Sequence, residues 1–148
     1  MATSKTQRGA SANPQERARQ GLQELRRGLL ELHKALIEAE RLTYERVFGR
    51  VASNGQLLQL VMDDPWFTWL HPLSQLVVRI DEALDSEDMK SEFDPRELMQ
   101  ETHVLLRPSE EGDGWGRSYY EALQRAPDVV LAHSHVKQLL GSVSAAAA

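Results

Sequence analysis

The chain has 148 residues, of which 41% are hydrophobic and 26% are charged, and its formal net charge is −5 at pH 7. This length suits one domain with a single core, and no apolar run reaches the roughly 18 residues that a membrane-spanning helix needs. The absence of Cys excludes disulfides, thiolate metal sites and Cys nucleophiles, and it is typical of a reducing compartment such as the cytoplasm.

Charge is unevenly distributed along the chain. Residues 1–34 carry seven basic and three acidic side chains, a balance of +4, whereas residues 81–113 carry three basic and twelve acidic ones, a balance of −9. Such an acidic band repels nucleic-acid phosphates, so nucleic acid is not expected as a partner. Attraction of a basic protein surface would explain the band, and so would solvation of an exposed loop, which is the commoner case.

One long amphipathic helix is predicted from Asn13 to about Val51, after a flexible tail of residues 1–12 that contains few apolar side chains. Asn13 is a preferred N-cap residue, Pro14 takes the first helical position, and Glu16 completes the spacing of a capping box. The apolar residues then recur at alternating steps of three and four, at Leu22, Leu25, Leu29, Leu32, Leu36 and Ala39.

This leucine seam resembles the heptad repeat of a coiled coil, but Leu30 and Ile37 widen it, so contact with more than one neighbour is predicted. At about 1.5 Å per residue the helix is roughly 55 Å long, which exceeds the diameter of a compact domain of this size. The excess length favours a surface that a second chain shares.

Shorter helices are predicted after the stop signals at Gly49 and Gly55. They comprise the apolar run that starts at Gln56 and ends at Asp63, a turn of helix with the sequence WFTWL, a helix from Pro72, a capped helix from Asp94 to Pro108, a helix with the sequence RSYYEALQRA, and a last helix from Pro127 to Gly141. No segment alternates as a strand does. The predicted fold class is therefore all-α, an antiparallel bundle of about four to six helices in one domain over residues 13–141, followed by a flexible low-complexity tail at 142–148.

Histidine spacing argues against a metal site carried by one helix. Two ligands on one helix must lie three or four residues apart. None of the positions at that spacing from the five His residues is Asp, Glu or His, so no metal or other cofactor is predicted.

No catalytic motif passes a comparable test: the glycine-rich GDGWG loop lacks the lysine of a phosphate-binding loop, and no nucleophile elbow is present. The sequence thus gives no positive indication of an enzyme.

An aromatic turn at Trp66, Phe67 and Trp69 holds half of the six Trp and Phe residues and lies between Pro65 and Pro72. Three such rings on a short turn cannot all face water, so they belong either to the core or to an interface. Core is the commoner outcome, since the rings can close the end of a bundle. His71 follows directly, either as an N-cap for the next helix or as a group that faces a ligand.

Two functional hypotheses remain. The first is a non-catalytic interaction protein of the cytoplasm that forms a homo-oligomer, most simply a dimer, or docks on a protein partner. Its predicted contact residues are Leu22, Leu25, Leu29, Leu36, Trp66 and Trp69. The alternative is a bundle that binds haem, a metal or a small apolar ligand in a pocket between helices. Its predicted lining residues are His71, Trp66, Trp69, His33 and Tyr44.

Overall fold

A computed structural model of the chain describes residues 13–86 and 94–147, and every regular element within them is a helix. The predicted tail at 1–12 and part of the acidic band, residues 87–93, lie outside the described residues. In chain order the helices are α1 (Pro14–Phe48), α2 (Asn54–Asp63), α3 (Pro65–Thr68), α4 (His71–Asp85), α5 (Pro95–Leu105), α6 (Trp115–Arg125) and α7 (Pro127–Ala147). The predicted all-α bundle is confirmed. The described residues form seven helices, and the number exceeds the predicted six because the single turn α3 is counted as a helix.

Helix α1 begins as the sequence predicts and ends slightly early. The side chain of Asn13 accepts a hydrogen bond of 2.7 Å from the backbone N–H of Glu16, and a Pro occupies the first turn. The helix stops at Phe48 and not near Val51, because Gly49 adopts a φ of 93°, a conformation that favours glycine. The carboxylate of Glu45 then accepts a hydrogen bond of 2.8 Å from the backbone N–H of Val51, which fixes the chain as it leaves the helix.

The leucine seam of α1 forms the centre of the core. Its members are almost completely buried, and α1 makes its most extensive contacts with α7 and then with α4. Leu73, Leu76 and Ile80 approach the seam from α4, and Val129, Val136 and Leu140 belong to the same core from α7. The stripe therefore contacts more than one helix of the same chain, although Leu30, which widens it, is 39% exposed.

Gly28 allows α7 to pack closely on α1. A Cβ atom at this position would lie 2.8 Å from Cδ1 of Leu139 and 3.3 Å from Cγ2 of Val136, distances that leave no room for a larger residue without a shift. A glycine inside a helix costs about 1 kcal/mol relative to alanine. Close packing along the main helix pair offsets that cost.

Two sequence predictions about helix ends are wrong. Helix α7 does not stop at Gly141 but continues to Ala147, because the Ala residues that follow have the highest helix propensity of all residue types. His71 is not an N-cap either. Leu70 precedes α4 in that position without a side-chain cap, and His71 is the first helical residue.

Candidate interaction surface

Helix α2 contains no buried residue, although half of its ten residues are apolar. Leu58 and Met62 are 61% and 60% exposed, and they lie one turn apart, so they share one face of the helix. Leu57, Leu60 and Val61 form a second stripe that is partly covered. The backbone of α2 lies closest to α3 and not to the main body of the bundle. An amphipathic helix with one apolar face exposed is typical of a segment that another surface covers.

The end of α1 also exposes apolar side chains. Val47 and Phe48 are 61% and 63% exposed. A connection of five residues, Gly49 to Ser53, joins α1 to α2, and the hydrogen bond between Glu45 and Val51 holds the middle of this connection against the last turn of α1. Phe48 also contacts Trp66 of α3, the helix on which α2 packs. We call Val47, Phe48, Leu58 and Met62 the apolar end surface.

Aromatic rings pack around Phe48 of this surface. The ring centroid of Phe48 lies 4.8 Å from that of Tyr44 and 5.7 Å from that of Trp66. Trp66 meets both rings edge-on, and Phe67, which is fully buried, packs on Tyr44 at 5.5 Å. Edge-to-face pairs of this kind are favourable arrangements of aromatic quadrupoles. Trp66 is half-buried, and among the four residues of the apolar end surface it contacts Phe48.

Glu40 of α1 is buried close to Trp66. Its carboxylate pairs with the guanidinium of Arg125 at the end of α6. Burial raises the pKa of Glu40, and the charge of Arg125 partly opposes that rise. The indole N–H of Trp66 also acts to lower the pKa of Glu40, although its geometry falls short of a hydrogen bond. The carboxylate thus ties α1 to the end of α6 close to Trp66.

Trp69 belongs to a different aromatic cluster, which packs against the core. Its ring lies 5.1 Å from Trp115, which stacks on Tyr119 at 5.5 Å. The hydroxyl of Tyr119 forms a hydrogen bond of 2.6 Å with Nδ1 of His133 on α7. The aromatic turn is therefore divided: Phe67 and Trp69 close the core, whereas Trp66 supports the exposed surface.

The leucines predicted as partner contacts do not lie on a free surface. Leu22, Leu25, Leu29 and Leu36 are at most 1% exposed, because α4 and α7 cover the seam within the same chain. A second chain could reach them only if the bundle opened. A heptad repeat looks the same whether its partner helices belong to another molecule or to the same one.

The structure places the residues predicted for a ligand pocket in three separate sets of contacts. His71 lines a shallow groove of about 570 Å³ on the outer face of α4, together with Ser74, Gln75, Val78 and Arg79. His33 reaches this region, since its Nε2 lies 2.8 Å from the hydroxyl of Ser74, and burial lowers the pKa of His33. The predicted rings of Tyr44, Trp66 and Trp69 lie in the two aromatic clusters instead. Within the described residues no group of three or more His, Asp or Glu side chains is placed to hold a metal ion.

Comparison with known proteins gives no relative: no family model, curated protein or solved structure matches this chain. In the described part of the chain no helix is both long and apolar enough to cross a membrane.

The apolar content of α2 was a signal in the sequence for exposed apolar residues, although the spacing of apolar residues along the chain did not reveal it. Residues 54–63, NGQLLQLVMD, hold five apolar residues and a single charge, at Asp63. Apolar residues on both stripes of so short a helix are more than one neighbouring helix can cover. That excess, and not the regular leucine seam, indicated where apolar side chains stay exposed.

Proposed function

We propose that this chain is a non-catalytic interaction protein that docks on a protein partner through the apolar end surface. The observation that carries the proposal is that α2 is rich in apolar residues and buries none of them. Aromatic residues and Met are enriched at protein interfaces, and this surface presents both. The proposed partner contact therefore lies at the C-terminal end of the long helix α1, and not on its leucine seam.

The size of the surface favours a reversible complex. Its four side chains are each about 60% exposed, so covering them would contribute on the order of 4–7 kcal/mol before the cost of association. That cost is itself estimated at about 4–15 kcal/mol. Contacts around the rim must supply the difference, and a complex that forms and dissociates readily is expected.

Photo-crosslinking in the native cells tests the proposal. A benzophenone-bearing residue in place of Leu58 should give discrete adducts with protein, whether with a second copy or with another chain. The same residue in place of Leu131, which is 69% exposed on α7, serves as a matched control for a large exposed apolar position. Adducts from position 131 alone, or from neither position, would contradict the proposal.

The proposal places the protein in the cytoplasm, because a Cys-free sequence suits a reducing compartment. Neither nucleic acid nor a membrane belongs to the proposed partners. The charge of the acidic band, which extends from residue 81 to residue 113, supports the first exclusion, since it would repel phosphate groups.

The groove on α4 supports a second candidate function, binding of a small ligand. His71, the hydroxyl of Ser74 with His33 behind it, and Val78 would offer polar and apolar contacts side by side. A thermal-shift screen against small apolar and haem-like ligands tests this candidate. A stabilising ligand whose effect is lost in His71→Ala would support it, and the absence of any shift would count against it.

A further inference from the structure

We infer that the partner on the apolar end surface is a second copy of this chain, bound so that the two α2 helices lie antiparallel about a two-fold axis near Leu58 and Gln59. This inference rests on the proposed function and names the partner. Size, charge and the composition of α2 each support it.

Size complementarity within α2 favours the antiparallel arrangement. The exposed stripe runs from Gly55 through Leu58 to Met62, so a small residue stands at one end and a large one at the other. A Cβ atom on Gly55 would meet only Ser53 Oγ, at 3.8 Å, so the space above this glycine is open. With the axis between Leu58 and Gln59, Met62 of each copy faces Gly55 of the second copy. A parallel pair would instead set the two Met62 side chains against each other and leave both glycines facing a gap.

Charge complementarity favours the same arrangement. The one charged residue of α2, Asp63, lies in its last turn, where the helix dipole is negative, and the first turn contains no acidic residue. This is the reverse of the usual distribution. In the antiparallel pair each Asp63 lies beside the positive N-terminus of the second copy's α2, near its Asn54. Exposed Arg46 and Arg50 at the end of α1 give the rim the opposite sign, so the surface can be complementary to itself.

The composition of α2 also distinguishes a protein partner from a lipid surface. Amphipathic helices that bind membranes carry Lys or Arg on the polar face, where these residues meet anionic headgroups. Helix α2 contains neither. Its polar residues are Asn54, Gln56, Gln59 and Asp63, which suit a contact with protein.

Because the chain contains no Cys, single-cysteine variants test the geometry directly. Leu58→Cys should form a disulfide-linked dimer under mild oxidation, at concentrations where the control Leu131→Cys remains monomeric. An equimolar mixture of Gly55→Cys and Met62→Cys should yield mainly the mixed disulfide, which mass spectrometry separates from the two homodimers. Homodimers in place of the mixed species would overturn the antiparallel arrangement.

Sedimentation velocity of the unmodified chain supplies the second measurement. A reversible monomer–dimer equilibrium is expected, and Leu58→Lys should raise the dissociation constant at least about tenfold. Asp63→Lys should weaken the dimer severalfold, since it places a positive charge beside the partner's positive helix end. Circular dichroism of each variant should match the unmodified chain, because these side chains are exposed in the monomer.

The outcomes separate this inference from the proposed function. A strictly monomeric chain at high concentration overturns the inference, while protein adducts from position 58 would still support docking on another protein. A dimer that Leu58→Lys leaves unchanged overturns the inference as well. Adducts with membrane lipid alone from position 58 would overturn both.

Discussion

Burial shifts the pKa values of titratable side chains in the described residues in opposite directions. Burial lowers the pKa values of His33 and His133, since it disfavours their charged forms, and raises the pKa of Glu40 for the same reason. For a histidine with a lowered pKa, the unfolded state binds more protons between the folded value and 6.5, so stability falls as pH falls through that window. Glu40 acts in the other direction: above 4.5 its contribution falls as pH rises through the raised pKa.

His33→Gln should therefore reduce the loss of stability on acidification. The amide of Gln can still form a hydrogen bond with Ser74 but does not titrate in this range. Urea unfolding at about pH 7.5 and about pH 5.5 measures the difference, and the contribution of Glu40 cancels between the two proteins. Equal losses of stability in both proteins would show that His33 titrates normally in the folded state.

At the scale of elements, α1 combines two kinds of apolar residue in one continuous helix. Its leucine seam is buried by α4 and α7, whereas Val47 and Phe48 at its end are exposed. Since both parts belong to one helix and carry apolar side chains, the neighbouring helices determine which residues are covered. The same substitution, made at a covered and at an exposed leucine, should therefore change the free energy of unfolding by different amounts.

Leu29→Ala should destabilise the fold by about 2–5 kcal/mol, because it leaves a cavity in the core. Leu58→Ala should change the free energy of unfolding of the monomer by less than about 0.5 kcal/mol, because Leu58 is 61% exposed. Denaturant titrations at low protein concentration compare the two. A large loss from Leu58→Ala would indicate that α2 packs on the bundle after all.

The contact between α1 and α7 can be tested at two glycines. Gly28→Val should destabilise the protein by about 1–3 kcal/mol, since its Cβ would already lie 2.8 Å from Leu139. The matched Gly141→Val should be neutral or stabilising by a few tenths of a kcal/mol, because no atom lies within 4 Å of its Cβ position. Thermal melts would show the contrast, and equal shifts at the two sites would argue against close packing at Gly28.

In the whole molecule, helices α1, α4 and α7 enclose a well-covered core, whereas the apolar end surface is left uncovered. The ion pair of Glu40 and Arg125 joins α1 to the end of α6 close to Trp66. A buried carboxylate that lost its cation would be costly, so this junction should be rigid. Such rigidity would favour the proposed docking, because less conformational freedom is lost on binding.

If the apolar end surface pairs with a second copy, the melting temperature should depend on protein concentration. Association of the folded form stabilises it by mass action, so the midpoint should rise by several degrees over about a hundredfold increase in concentration. In Leu58→Lys the midpoint should be independent of concentration. Differential scanning calorimetry measures both, and a constant midpoint for the unmodified chain would contradict self-association.

The sequence by itself determined the helices. Local signals set them: Asn13 and Asp94 as N-caps, Pro65 and Pro127 at first turns, and the regular spacing of leucines in α1. These signals depend on neighbours within a turn or two, so they can be read without tertiary structure. The stop at Gly141 failed because the strong propensity of the following Ala residues outweighed one glycine.

Only the tertiary structure decided which apolar residues are covered. The leucine seam and the run in α2 are equally apolar in the sequence, but Gly28 lets α7 cover the first, whereas α2 contacts little beyond α3. The same holds for the aromatic turn, where Trp66 and Trp69 are three residues apart and lie in separate clusters. Burial depends on helices that are distant in sequence, so periodicity predicts an apolar face without showing what lies against it.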